Sequence, residues 1–144
     1  MAAVAPAMSA GLDRFVEAQA PVWSDVVAEL RAGRKRTHWM WFVFPQLAGL
    51  GRSAMAARYA IADLKEARLY AAHSVLGPRL REGADLVATH ADRGLTAILG
   101  TPDDLKFVSS MTLFEAAGEG WCGAVLDRAN GGLRDDRTRA MLKR

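Results

Sequence analysis

At 144 residues, with 51% apolar side chains and a formal net charge of +3, the chain is long enough for one domain around one hydrophobic core. A pI near 9.4 makes the surface mildly basic, which by composition alone does not imply nucleic-acid binding. Three scattered histidines and one cysteine, Cys122, exclude a disulfide framework and a clustered Cys/His zinc site, and no run approaches the roughly 18 apolar residues of a membrane span.

Residues 1–11 are alanine-rich and lack a basic stretch before an apolar run, so they are expected to form a disordered tail ahead of a single helical domain over 12–144, in a cytoplasmic, reducing setting with no membrane partner. A short helix is predicted over 12–20. Val22, Trp23, Val26, Val27 and Leu30 then recur at helical spacing, with Pro21 suited to the first turn and Gly33 placed to end the helix. The run from Thr37 to Gln46 follows, carrying Trp39, Trp41, Phe42 and Phe44 between the basic residues Arg31, Arg34, Lys35, Arg36 and the turn Gly49-Leu50-Gly51-Arg52-Ser53. A helix containing Tyr59 and Ile61 is expected after that turn. Asp63 with Glu66 forms a capping-box pattern opening a helix through Ala72, and Leu76, Leu80, Ala84 and Val87 mark another over 75–90.

Thr101-Pro102-Asp103-Asp104 offers a hydroxyl cap, a proline for the first position and carboxylates for the positive end of the helix dipole, predicting a helix to about Ala117. Two further helices, over 121–129 and 135–142, are joined by the turn Asn130-Gly131-Gly132. No stretch alternates as a strand, and the fold class read from these patterns is all-α.

The strings His38-Trp39-Met40-Trp41-Phe42, Phe44-Pro45-Gln46, Gly49-Leu50-Gly51-Arg52-Ser53 and Ser109-Ser110-Met111-Thr112-Leu113-Phe114, together with Glu29-Leu30, Tyr59-Ala60-Ile61, Tyr70, Asp103, Lys106, Asp127 and Asp135, resemble the pattern of the domain-of-unknown-function 1810 family. The resemblance runs over nearly everything after the tail and implies a mainly helical fold, as found in bacterial and fungal members. The family has no established activity, so the resemblance transfers no catalytic residue and leaves the cofactor unknown. A calpastatin label carried by some members does not suit this chain, because calpastatin is an extended disordered inhibitor and this sequence has a core.

Candidate site residues follow from groups that need partners. Segment 39–44 is apolar on every face and must be largely buried, while His38, Trp39, Trp41 and Gln46 bring an imidazole, two indole N–H groups and a carboxamide that each require a hydrogen bond once buried. A pocket rim is the sharper reading of these four. Gly49-Leu50-Gly51-Arg52-Ser53-Ala54 fits the glycine spacing of a dinucleotide fingerprint, but the parallel strands that such a unit needs are missing. What survives is anion binding at a helix start, with Arg52 and Ser53 beside the backbone N–H groups.

Lys106, in the central helix predicted from Asp103, precedes Ser109 and Ser110 by three and four residues, a Ser-Lys spacing without an oxyanion hole, so Lys106 reads better as a charge holding an acidic ligand or an inner carboxylate. Ser109 and Thr112 either join that site or bond back to the carbonyl one turn earlier. Two functions are therefore weighed. One is a site for an acidic small molecule, phosphorylated or nucleotide-like, at His38, Trp39, Trp41, Gln46, Arg52, Ser53, Lys106, Ser109 and Thr112, with His38 the candidate for proton transfer and no metal. The other is a protein- or nucleic-acid-binding module using the edge from Arg31 to Arg36. A concave cavity lined by tryptophan favours the first, and an open stacking platform under the basic edge favours the second.

Overall fold

The computed structural model describes residues 10–144, so the expected tail lies outside the described residues except for Ala10 and Gly11, which open a 3-10 turn, Ala10–Leu12. Ten α-helices follow among the described residues: α1 Asp13–Gln19, α2 Trp23–Arg31, α3 Met40–Val43, α4 Ala54–Arg58, α5 Leu64–Ala72, α6 Leu76–Thr89, α7 Leu95–Leu99, α8 Asp103–Ala116, α9 Gly120–Ala129 and α10 Asp136–Leu142. A second 3-10 turn, Ala91–Arg93, leads into α7. There is no strand among these residues; one isolated parallel bridge joins Leu47 to Ile61. The fold is all-α.

Helix α8 is the axis of the domain. Every residue from Phe107 to Phe114 is buried, which is the behaviour of a helix apolar on all faces, and α5, α7, α9 and α10 pack around it. Helix α6 forms a second spine against α2, α3, α5 and α9. Aromatic rings lock the layers at their junctions: Phe44 meets Phe107 edge-on at 4.9 Å, Phe42 meets Tyr59 at 5.3 Å and Tyr70 meets Phe114 at 5.2 Å.

Local signals account for the helix ends. Asp63 Oδ1 accepts the Glu66 N–H at 2.9 Å, and Asp135 Oδ2 accepts the Thr138 N–H at 3.1 Å. Gly33 follows α2 with φ +74°, a conformation in which a side chain is strained. Two expectations shift. Tyr59 ends α4, and Ile61 leaves the helix altogether: its N–H donates to the Gln46 carbonyl at 2.9 Å while its own carbonyl accepts the Ala48 N–H at 2.8 Å. At α8 the cap position is Pro102, without a side-chain cap bond, and the Thr101 hydroxyl donates to Asp104 Oδ2 at 3.2 Å instead.

Among the described residues no helix is long and apolar enough to cross a membrane.

Candidate functional site

The bridge between Leu47 and Ile61 closes the chain from Leu47 through α4 into a loop, and this loop forms one wall of a hollow of about 180 Å³. Its lining includes Trp41, Phe44, Gln46, Gly51, Tyr59 and Lys106. Gly51 is required by close approach: a Cβ there would lie 2.4 Å from the Ala56 Cβ, so any side chain would push the loop off α4. A second hollow of about 480 Å³ shares Gln46, Gly51 and Lys106 with the first and extends over Pro102, Leu105, Ser109 and Leu133. Lys106 therefore stands where the two hollows meet.

The charges around Lys106 are unbalanced. Its ammonium lies 5.5 Å from the centroid of the Trp41 ring and 3.7 Å from Asp103 Oδ1. The other oxygen of Asp103 takes Lys35 at the closer distance of 2.9 Å, and Lys35, whose side chain is only 7% exposed, also donates to the Thr37 carbonyl and lies over the Trp39 ring at 5.0 Å. One carboxylate thus serves two ammonium groups, and the one facing the hollows is the more weakly paired.

Of the expected site residues, Trp41, Gln46 and Lys106 come together in the first hollow, and Ser109 lines the second. The others stand elsewhere. His38, expected at a pocket rim, is exposed and lies outside both hollows and outside the core. Trp39 is buried to 1% exposure, so its ring offers no face to a ligand, and its indole N–H donates to Glu29 Oε1 at 3.0 Å. Arg52 and Ser53 are exposed beyond Gly51 and line neither hollow; Ser53 Oγ caps α4 by accepting the Ala56 N–H at 3.0 Å.

Ser109 and Thr112 do bond back along α8, to the Leu105 and Val108 carbonyls. They also fasten the segment after the Asn130 turn: Ser109 Oγ donates to Asp135 Oδ2 at 3.0 Å, and Thr112 Oγ1 accepts the Asp135 N–H at 2.9 Å. Arg134 beside it is held by Glu115 in two bonds of 2.9 and 2.7 Å and by Asp127 at 2.6 Å. The Arg134 guanidinium keeps the Glu115 carboxyl below its ordinary range.

Sequence reasoning missed Glu29. Its carboxylate accepts the N–H groups of Arg36 and Thr37, the Thr37 hydroxyl and the Trp39 indole, all within 3.0 Å. Burial pushes its carboxyl up, but these four hydrogen bonds prevail and hold it at about 2. The signal was present as an acid in the last turn of α2, just ahead of a donor-rich segment. Cys122 is buried, and burial pushes its thiol up. No group of three or more metal-ligating side chains occurs among the described residues.

Residues 9–142 match the family described as "Protein of unknown function (DUF1810)", and the chain belongs to that family. A solved structure, that of the conserved hypothetical protein Rv1873 from Mycobacterium tuberculosis, is similar at 55% identity with a TM-score of 0.89, covering 92% of this chain and 96% of that one. No curated protein matches.

Proposed function

We propose that this protein binds a small anionic molecule, phosphorylated or nucleotide-like, between Trp41, Gln46 and Lys106. The observation that carries this reading is the two-to-one pairing of Lys35 and Lys106 with Asp103, which leaves Lys106 only loosely held at 3.7 Å where the two hollows meet. An incoming phosphate or carboxylate completes that pairing through a charge-assisted hydrogen bond. Gln46 adds a carboxamide and Trp41 an aromatic wall, while Arg52, exposed and next in sequence to Gly51, adds positive charge nearby without lining either hollow. No proton-transfer step is assigned, because His38 stands apart from these residues.

The basic edge has less support as an open platform for a nucleic acid or protein. Arg31, Arg34 and Arg36 are exposed, but Lys35 is taken by Asp103 and Trp39 is buried, so no aromatic face lies open among them.

The reading is tested by thermal unfolding of the full chain with inorganic phosphate, adenosine monophosphate and a panel of sugar phosphates. At least one should raise the midpoint, and the increase should vanish in the Arg52→Ala, Lys106→Ala double variant, whose own unfolding stays close to that of the parent. Absence of any shift across the panel, or a shift that survives the double substitution, refutes it.

A further inference from the structure

We propose that the ligand of this site is amphiphilic, an anion whose apolar chain lies in the second hollow; this rests on the anion-binding reading above. The two large hydrophobic residues that stand out as exposed among the described residues, Leu105 at 64% and Leu133 at 69%, both line this one hollow. Scattered single exposed leucines are ordinary, but a pair facing one depression beside Pro102 and Val108 forms a contiguous apolar lining. The pair is held in place by the polar bonds of its neighbours in the lining. Arg134, next in sequence to Leu133, is fixed by Glu115 and Asp127, and Asp135 is fixed by Ser109, so the segment carrying Leu133 is fastened to α8, which carries Leu105.

Charge decides which amphiphile fits. The carboxylate in the lining, Asp135, already accepts bonds from Ser109 and Thr138, and the Arg134 guanidinium is saturated by its two carboxylates. That leaves two cations in the lining, Lys106, loosely paired with Asp103, and Arg137, exposed and without an ion pair among the described residues. An apolar depression with two cations in its lining complements a single-chain carboxylate or phosphate monoester, and it disfavours a cationic or zwitterionic one.

The test measures binding of inorganic phosphate, butyl phosphate, hexyl phosphate and octyl phosphate, each below its micellar concentration, by calorimetric titration of the full chain. Affinity should rise by about two- to four-fold per added methylene, the range for partial to full burial of each group. In the Leu105→Ser, Leu133→Ser double variant, which alters only exposed positions, that gain should disappear while inorganic phosphate binds as before. Phosphate binding with no chain-length dependence overturns the amphiphile and leaves the anion site standing. A chain-length gain that persists in the leucine variant places the chain elsewhere and equally overturns the proposal. Failure of every member of the series to bind overturns the amphiphile, and the anion reading then falls only if the nucleotide and sugar phosphates also produce no shift.

Discussion

The Glu29 carboxylate accepts the indole N–H of Trp39 at 3.0 Å, and with the same oxygen it accepts the backbone N–H of Arg36 at 2.7 Å. One acid on α2 therefore fixes both the basic edge and the first tryptophan of the aromatic segment. Trp39 is immobilised as a wall of the core, and Lys35, its backbone N–H bonded to the Ile98 carbonyl at 2.7 Å, is turned toward Asp103. The charge arrangement at the site thus depends on a carboxylate that does not line it.

Acid should weaken the fold through this group. With its carboxyl held at about 2, Glu29 contributes stability that is fully present above its unfolded value of about 4.3 and is lost as pH falls through the folded value. Because Glu29 is only partly buried, the contribution is about 1 to 2 kcal/mol after solvent screening. Urea unfolding should show Glu29→Gln less stable by that amount at pH 7, with the difference shrinking toward zero near pH 2. A difference that is constant with pH would mean that the carboxylate charge is not what holds the segment.

The core of α8 is predicted to be intolerant of truncation. Met111 is completely buried on the helix face that also carries Phe107 and Phe114. Met111→Ala should cost roughly 2 to 5 kcal/mol through lost burial and the cavity left behind. The midpoint of chemical unfolding reads this directly, and an unchanged midpoint would remove α8 from the centre of the domain.

Gly123 and Glu115 should be coupled. A Cβ at position 123 would lie 2.1 Å from Glu115 Oε2 and 2.8 Å from Arg134 Nη2, so Gly123→Ala dislodges the Glu115–Arg134 pair. In the parent this should be neutral or destabilising despite the better helix propensity of alanine. With Glu115→Ala already present the clash with the carboxylate is gone and only the end of the Arg134 side chain, released from Glu115, has to yield, so the same change should stabilise by about 0.5 to 1 kcal/mol. Identical effects in both backgrounds would show that the glycine does not make room for the ion pair.

Helices with strong local grammar were legible in the sequence: the Asp63 cap, the Gly33 stop and the apolar run of α8 all appear where their residues place them. Helix α7 was not, because five residues between Gly94 and Gly100 are too few to show a period. Ile61 escaped because its place is set by a bond to Gln46, fifteen positions away in sequence, and nothing local records it. The candidate site divides in the same way. Trp41, Gln46 and Lys106 were found because polar groups in apolar runs need partners, whereas Arg52 and Ser53 face outward since Ser53 satisfies its own helix start. Glu29 and the divided loyalty of Asp103 are tertiary facts, visible only once α2 and α8 are brought alongside the aromatic segment.

Asp103 should oppose ligand binding while supporting the fold. Its carboxylate neutralises part of the charge on Lys106 and is the close partner of Lys35, which is almost entirely buried. Asp103→Asn leaves the shape of the site unchanged, removes one negative charge near the proposed anion, and leaves the Lys35 ammonium without its counter-charge. Stability should fall by roughly 1 to 3 kcal/mol. Affinity for a phosphate monoester should at the same time rise by roughly two- to ten-fold, because the anion no longer competes for Lys106. Raising the ionic strength should shrink the affinity gain more than the stability loss, since the mouth of the site is open to solvent and Lys35 is not. Thermal unfolding and calorimetric titration on the same sample separate the two effects, and a variant in which stability and affinity fall together would show that Asp103 positions the ligand rather than competing with it.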